Sequence, residues 1–174
     1  MRVMTIGITA LCAVVACAVS APLSALGAAS HPCKGSQLDG AFKGIPGSAG
    51  AGNIVYRLRI VNTSTRACFV TGIPVLTLLD KNGRKLPTKG AFSGPRGALT
   101  AIVVPLAVGG HASLTARFSP DIPGPGESTS GPCEKTAYKL RVAVSGGGAT
   151  TVPIVPPTPV CEHGSLQLSV FTQT

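Results

Sequence analysis

Past residue 29, apolar side chains recur at every second position in short runs, and no segment sustains the period of a capped amphipathic helix. The clearest run is residues 53–61, where Ile54, Tyr56, Leu58 and Ile60 fall on one face and Arg57 and Arg59 on the other. Such a strand turns its apolar face to a core and its charged face to water. Residues 111–118 repeat the pattern with Ala112, Leu114, Ala116 and Phe118 inward. Residues 136–144 repeat it again, with Tyr138, Leu140, Val142 and Val144 opposed to Lys139 and Arg141.

Shorter β-branched or aliphatic runs at 35–43, 68–72, 75–80, 98–104, 150–155 and 165–171 are separated by Gly, Pro, Asn and Ser clusters, the punctuation of an all-β chain. Asn82-Gly83 predicts a type I′ hairpin, because both residues tolerate positive φ. The Gly109-Gly110 turn predicts that residues 98–104 and 111–118 pair as a hairpin. Residues 119–133 are too rich in Pro and Gly for regular structure and read as a long surface loop. About seven to nine strands result, the number and size of an immunoglobulin-like β-sandwich. The antibody-type tryptophan core is missing, since the chain has no Trp.

Residues 1–29 have the layout of a secretory signal: Met1-Arg2, an apolar run broken by Pro22, and the small residues Gly27, Ala28 and Ala29. Cleavage after Ala29 leaves residues 30–174, the size of one domain. A rival reading takes residues 14–17, "VVAC", as a loose lipobox with Cys17 as the lipidated N-terminus, and a third retains the leader as an anchor. Either would place the protein at a membrane; otherwise it is secreted or extracytoplasmic.

With Cys12 and Cys17 in the leader, Cys33, Cys68, Cys133 and Cys161 remain, and four cysteines in an exported chain most simply form two disulfides. They allow three pairings. Cys33 with Cys68 and Cys133 with Cys161 is favoured, because each pair ties a Gly- or Pro-rich segment to a nearby strand. Closing such loops is worth roughly 3–4 kcal/mol each on the chain-entropy model. The alternative is a metal-binding module, in which His31 and Cys33 of "HPC" join Cys161 and His163 of "CEH" as two imidazoles and two thiolates. A copper(I) site of the thioether type is disfavoured, because Met1 and Met4 are the only methionines.

No catalytic residue emerges. There is no G-x-S-x-G elbow and no phosphate-cradling loop opening a helix. The six acidic residues are dispersed among turns and loops, leaving a hydrolase as a distant alternative that only tertiary convergence would assemble. His111, after the Gly-Gly turn, reads as a strand-end residue. The net charge of +9 invites an anionic partner. Scattered basic residues, few aromatics and export argue against nucleic acid. Arg57, Arg59, Lys139 and Arg141 need no ligand as the wet faces of two strands, yet in one sheet they would form a patch for an anionic ligand. Residues 62–64, "NTS", match a glycosylation sequon inside a turn that wants those residues in any case.

Cys33 and Leu38, the segment "GNIVYRLRIVNTSTRACFVTGIPVLTLLDKNGR", the turn "VGGHAS", Cys133 before "YKLRV", and a closing "TVPIV" with Cys161, Leu166 and Val170 together resemble a family of exported actinobacterial domains of unknown function. The resemblance spans nearly all of residues 30–174. It implies an immunoglobulin-like secreted or lipid-anchored envelope domain, with no cofactor and no established catalytic residues to carry over. Its partner would be an anionic envelope component or another envelope protein. The expectation is therefore a disulfide-stapled, non-catalytic binding or structural module.

Overall fold

The computed structural model describes residues 29, 31–94 and 102–174. The cleavage site, the lipidation candidate Cys17 and most of the leader lie outside them. Among the described residues no helix is long and apolar enough to cross a membrane.

Eleven strands follow one another: β1 (Leu38–Gly44), β2 (Ile54–Asn62), β3 (Cys68–Thr71), β4 (Val75–Leu79), β5 (Lys89–Phe92), β6 (Val103–Leu106), β7 (His111–Phe118), β8 (Ala137–Ala143), β9 (Ala149–Thr158), β10 (Ser165–Leu168) and β11 (Thr172–Gln173). The main sheet runs β4-β8-β9-β1-β2-β7-β10-β5, with β11 also on β7, while β3 and β6 form a separate pair. Its pairs are antiparallel except β1 with β9 and β10 with β5. The sheet curls until its ends approach. Thr88 Oγ1 accepts the Leu78 N–H at 2.9 Å, and the Leu86 N–H donates to Leu78 O at 2.9 Å, joining the lead-in to β5 onto β4.

The all-β class is as expected, but the plan is one nearly closed, barrel-like sheet with a small side sheet rather than a clear two-layer sandwich. Alternation specifies which face of a strand is buried and leaves its partner open. That accounts for a second correction. β6 pairs with β3, not with β7, because both edges of β7 are occupied, one along its full length by β2, from Ile54 opposite Phe118 to Val61 opposite His111, and the other by β10 and β11. The Gly109-Gly110 turn instead closes on Asn62, whose N–H donates to Gly110 O while its carbonyl accepts from Gly109 N–H.

Two smaller corrections have local causes. Tyr138 is 40% exposed instead of inward, because the register slips between Ala137 and Lys139 and the bulge puts Ala137 in the core. At Asn82-Gly83 only Gly83 has positive φ. The turn is the longer kind, with the Gly83 N–H on Asp80 O and Asp80 Oδ1 accepting from Asn82 and Arg84 N–H.

Phe42, Tyr56 and Phe118 pack together in the core, with ring centroids 5.0, 5.2 and 6.4 Å apart. The Tyr56 hydroxyl donates to Pro156 O at 2.9 Å, so its polar end is satisfied. Asn62 continues the phase of Leu58 and Ile60 into the interior and is fully buried. Its amide nitrogen donates to Arg66 O at 2.7 Å and to Leu106 O and Ala107 O at 3.2 Å, while its oxygen accepts from Ser64 N–H and Oγ. The sequon is therefore a structural hub, and its asparagine has no access to a glycosylating enzyme once folded.

Disulfides join Cys33 to Cys68 and Cys133 to Cys161, with Cα separations of 5.0 and 5.6 Å. The metal-site alternative fails on this ground. Cys33 and Cys161 belong to different disulfides and offer no thiolate to His31 or His163.

Candidate functional site

The outer face of β1, β2 and β7 carries a cluster of cations. Alternation sends Lys43, Arg57, Arg59 and Arg117 outward, and all four are exposed. Lys43 stands opposite Arg57 and Ala41 opposite Arg59. Arg117, opposite Val55, lies diagonal to Arg57. Among the described residues no lysine or arginine has a carboxylate within 4.0 Å.

A trough of about 410 Å³ runs along this face. Lys43, Arg57 and Arg59 border it, Ile45 and Pro46 form a wall, and His111 closes one end. The depression is low in side chains: outward Ala41, opposite Arg59, adds only a methyl group, and Gly40, opposite inward-facing Ile60, adds none. Gly40 tolerates none, since a Cβ would collide with the Arg59 carbonyl oxygen. The Nδ1 atom of His111 is buried and has no hydrogen-bond partner. A second groove of about 600 Å³ continues past Thr115, the partner of Arg57, and is lined by Asn53, Val55, Arg117, Gln167 and Glu162.

Only half of the four-residue patch expected from the sequence belongs here. Lys139 and Arg141 face outward on the same sheet, opposite Pro153 and Thr151, but β9 and β1 separate them from β2. Three strand spacings put the pairs about 14 Å apart. Lys43 and Arg117 take their place. Lys43 was discoverable as the outward neighbour of Phe42, but its position beside Arg57 depends on register.

A second cluster holds the long loop. Glu162, His163 and Gly164 are consecutive left-handed residues, with φ of 55°, 57° and 75°. For the first two this costs about 1–2 kcal/mol each, and Gly164 is held to glycine by the Pro87 carbonyl, which a Cβ would strike. The turn directs successive amides at Glu127, whose side chain is 2% exposed. Glu127 accepts from Gly124 N–H at 2.6 Å, Glu162 N–H at 2.8 Å and His163 N–H. Burial disfavours its ionisation, but these three amides and the nearby His163 outweigh it, so its pKa falls below the ordinary 4.5.

His163 Nε2 donates to Pro125 O at 2.9 Å and turns Nδ1 toward Glu127 Oε1, 3.6 Å away, and Glu134 Oε1, 4.0 Å away. The three donor atoms lie within 4.8 Å of one another, close enough for one cation to touch all of them. Both Glu127 oxygens, however, are engaged by main-chain amides, so the cluster acts as a clamp fastening residues 124–134 to the turn at 161–164. Sequence reasoning missed Glu127, because a carboxylate in a Pro- and Gly-rich loop carries no local sign of its distant amides.

The clamp has a pH sign. A carboxylate with a depressed folded pKa contributes stability above its unfolded pKa and loses it as pH falls through the folded value. The Glu162 and His163 amides should therefore stay protected from hydrogen exchange at neutral pH and lose protection in acid below the ordinary carboxylate range. In Glu127→Gln they should exchange at least about tenfold faster at neutral pH, with little change in the β2 and β7 amides.

None of the three described histidines hydrogen-bonds a serine hydroxyl among the described residues. His31 engages Phe69 N–H through its main-chain carbonyl. No curated protein and no solved structure matches the chain. Residues 33–172, which include both disulfides, the trough and the clamp, match a family described as a domain of unknown function, DUF4232, and the chain belongs to that family.

Proposed function

We propose that this protein is an exported, non-catalytic module of an actinobacterial cell envelope whose trough on β1 and β2 holds an anionic envelope component. The observation that carries the reading is the grouping of Lys43, Arg57 and Arg59, without carboxylate partners, around one depression. Cations arranged for internal ion pairing would have acidic neighbours. These three have Asp39 further along β1, and its Oδ1 already accepts the Gly40 N–H. Two disulfides suit an oxidising compartment, and the net charge of +9 would draw the module to an anionic matrix. Whether the protein is soluble or held through Cys17 does not alter the ligand chemistry.

Sulfated dextran serves as a generic polyanion for the test. The variant Lys43→Ala/Arg57→Ala/Arg59→Ala should bind it roughly a hundredfold more weakly at low salt, taking about 1 kcal/mol for each exposed charge. Its melting temperature should remain close to that of the parent, because all three side chains are exposed. Lys139→Ala/Arg141→Ala removes nearly as much charge from a site 14 Å away, taken as about three strand spacings, and should change binding far less. Equal losses in the two variants would reduce the trough to diffuse surface charge and sink the proposal.

A further inference from the structure

We infer that the grooved face accommodates successive phosphates of a phosphodiester-linked polyol chain. The inference rests on the anionic trough proposed above and names its ligand class. Arg59 and Arg57 are two residues apart on β2, so they stand about 7 Å apart. Arg117 lies diagonal to Arg57 across β2 and β7, about 7–8 Å further on. The three arginines thus form a line with a nearly constant step, running from the trough into the second groove.

A polymer with one anionic group every six or seven bonds matches that step, whereas a single small anion would engage only one or two of the cations. Guanidinium groups suit phosphate because their planar donors pair two oxygens at once. The line is bounded at both ends by negative charge. Asp39 lies beyond Ala41 on β1, and Glu162 lines the far groove. The face therefore has room for three phosphates and repels a longer run.

Base-bearing polymers fit poorly. Of the rings that line the grooves, Phe118 is buried in the core and the His111 imidazole stands alone at one end of the trough, so there is no series of rings on which successive bases would stack.

The test uses the full chain, with its disulfides formed, and fluorescently labelled poly(glycerol phosphate) of several repeats. Glycerol phosphate, polygalacturonate and oligo-dT of matched charge are the comparators. Three phosphate contacts give a slope of log K against log salt of about −2. Arg117→Ala should lower that slope by about a third and weaken the polymer while leaving glycerol phosphate unaffected. Polymer binding tighter than the monomer's, with the expected slope and tighter than the carboxylate polymer or oligo-dT, supports the inference. An Arg117→Ala slope equal to the parent's overturns it, as does polygalacturonate or oligo-dT binding as tightly as the polyol phosphate. If sulfated dextran still requires Lys43, Arg57 and Arg59 in either case, only the ligand class falls. If no polyanion depends on those residues, the trough reading falls with it.

Discussion

Replacing Cys33 and Cys68 together by alanine should lower the unfolding free energy by about 4 kcal/mol, read as a fall in the urea midpoint with the denaturant slope checked for change. The bond closes a sequence separation of 35 residues, which on the chain-entropy model is worth nearly that amount. Local structure adds to the effect. Both cysteines are fully buried. The segment that the bond holds is otherwise attached to β3 by few contacts, Cys33 N–H to Phe69 O at 2.8 Å and Phe69 N–H to His31 O at 3.0 Å. Without the crosslink few hydrogen bonds hold residues 31–33 to β3, and that flank of β3 would open first. Removing Cys133–Cys161 should cost less than removing Cys33–Cys68, because Cys133 is only half-buried and Glu127 independently clamps the same loop. A larger loss from the second pair would show that the clamp depends on its disulfide.

Asn62→Ala should cost about 3 kcal/mol, a large effect for one polar side chain. The substitution removes one donor from each of three main-chain carbonyls; Ala107 O keeps the Gly110 N–H and Arg66 O keeps the Ser64 hydroxyl, so the loss falls hardest on Leu106 O, whose bond to Asn62 is fully enclosed. Burying an acceptor without a partner forfeits its hydration with no return. Three elements meet at this residue: the end of β2, the turn before β3, and the turn between β6 and β7. Asn62 joins them through its carboxamide and, at the turn between β6 and β7, through its main chain as well. Asn62→Asp separates the hydrogen-bond account from simple loss of volume. It keeps the shape but aims a carboxylate at the same carbonyls, so the folded state should favour its protonated form. A raised folded pKa means stability retained in acid and lost as pH rises, and Asn62→Asp should accordingly be more damaging at neutral pH than in acid. PH-independent loss equal to that of Asn62→Ala would contradict the assigned geometry. The same burial predicts an intact mass with no glycan on Asn62.

Much of this architecture is local and was legible before any tertiary information. Ile54 to Ile60 alternate with Arg57 and Arg59, and 111–118 alternate likewise, because a pleated strand repeats every two residues and the repeat is written in adjacent side chains. The four cysteines that follow a leader-like run indicated staples, and the Pro- and Gly-rich 119–133 indicated a loop, for equally local reasons. Asn62 was within reach too, being in phase with Ile60, but its sequon and turn context masked the phase.

What is not local is which strand lies beside which, and the candidate site depends on that. Arg57 and Arg59 appear beside Lys139 and Arg141 only if strands with similar patterns are assumed to be neighbours. The actual order puts β9 and β1 between them and substitutes Lys43 and Arg117. Partner choice is settled by the closing of one curled sheet around Phe42, Tyr56 and Phe118, a packing decision that involves residues more than 70 positions apart. The Glu127 clamp belongs to the same class, since its carboxylate meets amides 35 and 36 residues away. Sequence alone determined the staples, the chemistry available on each surface and the strand faces apart from Tyr138, which a bulge turns outward, because those follow from short-range periodicity and covalent type. Only the tertiary structure decided which charges share a groove, because a one-strand change in pairing order moves a side chain by about 5 Å and leaves every local pattern intact.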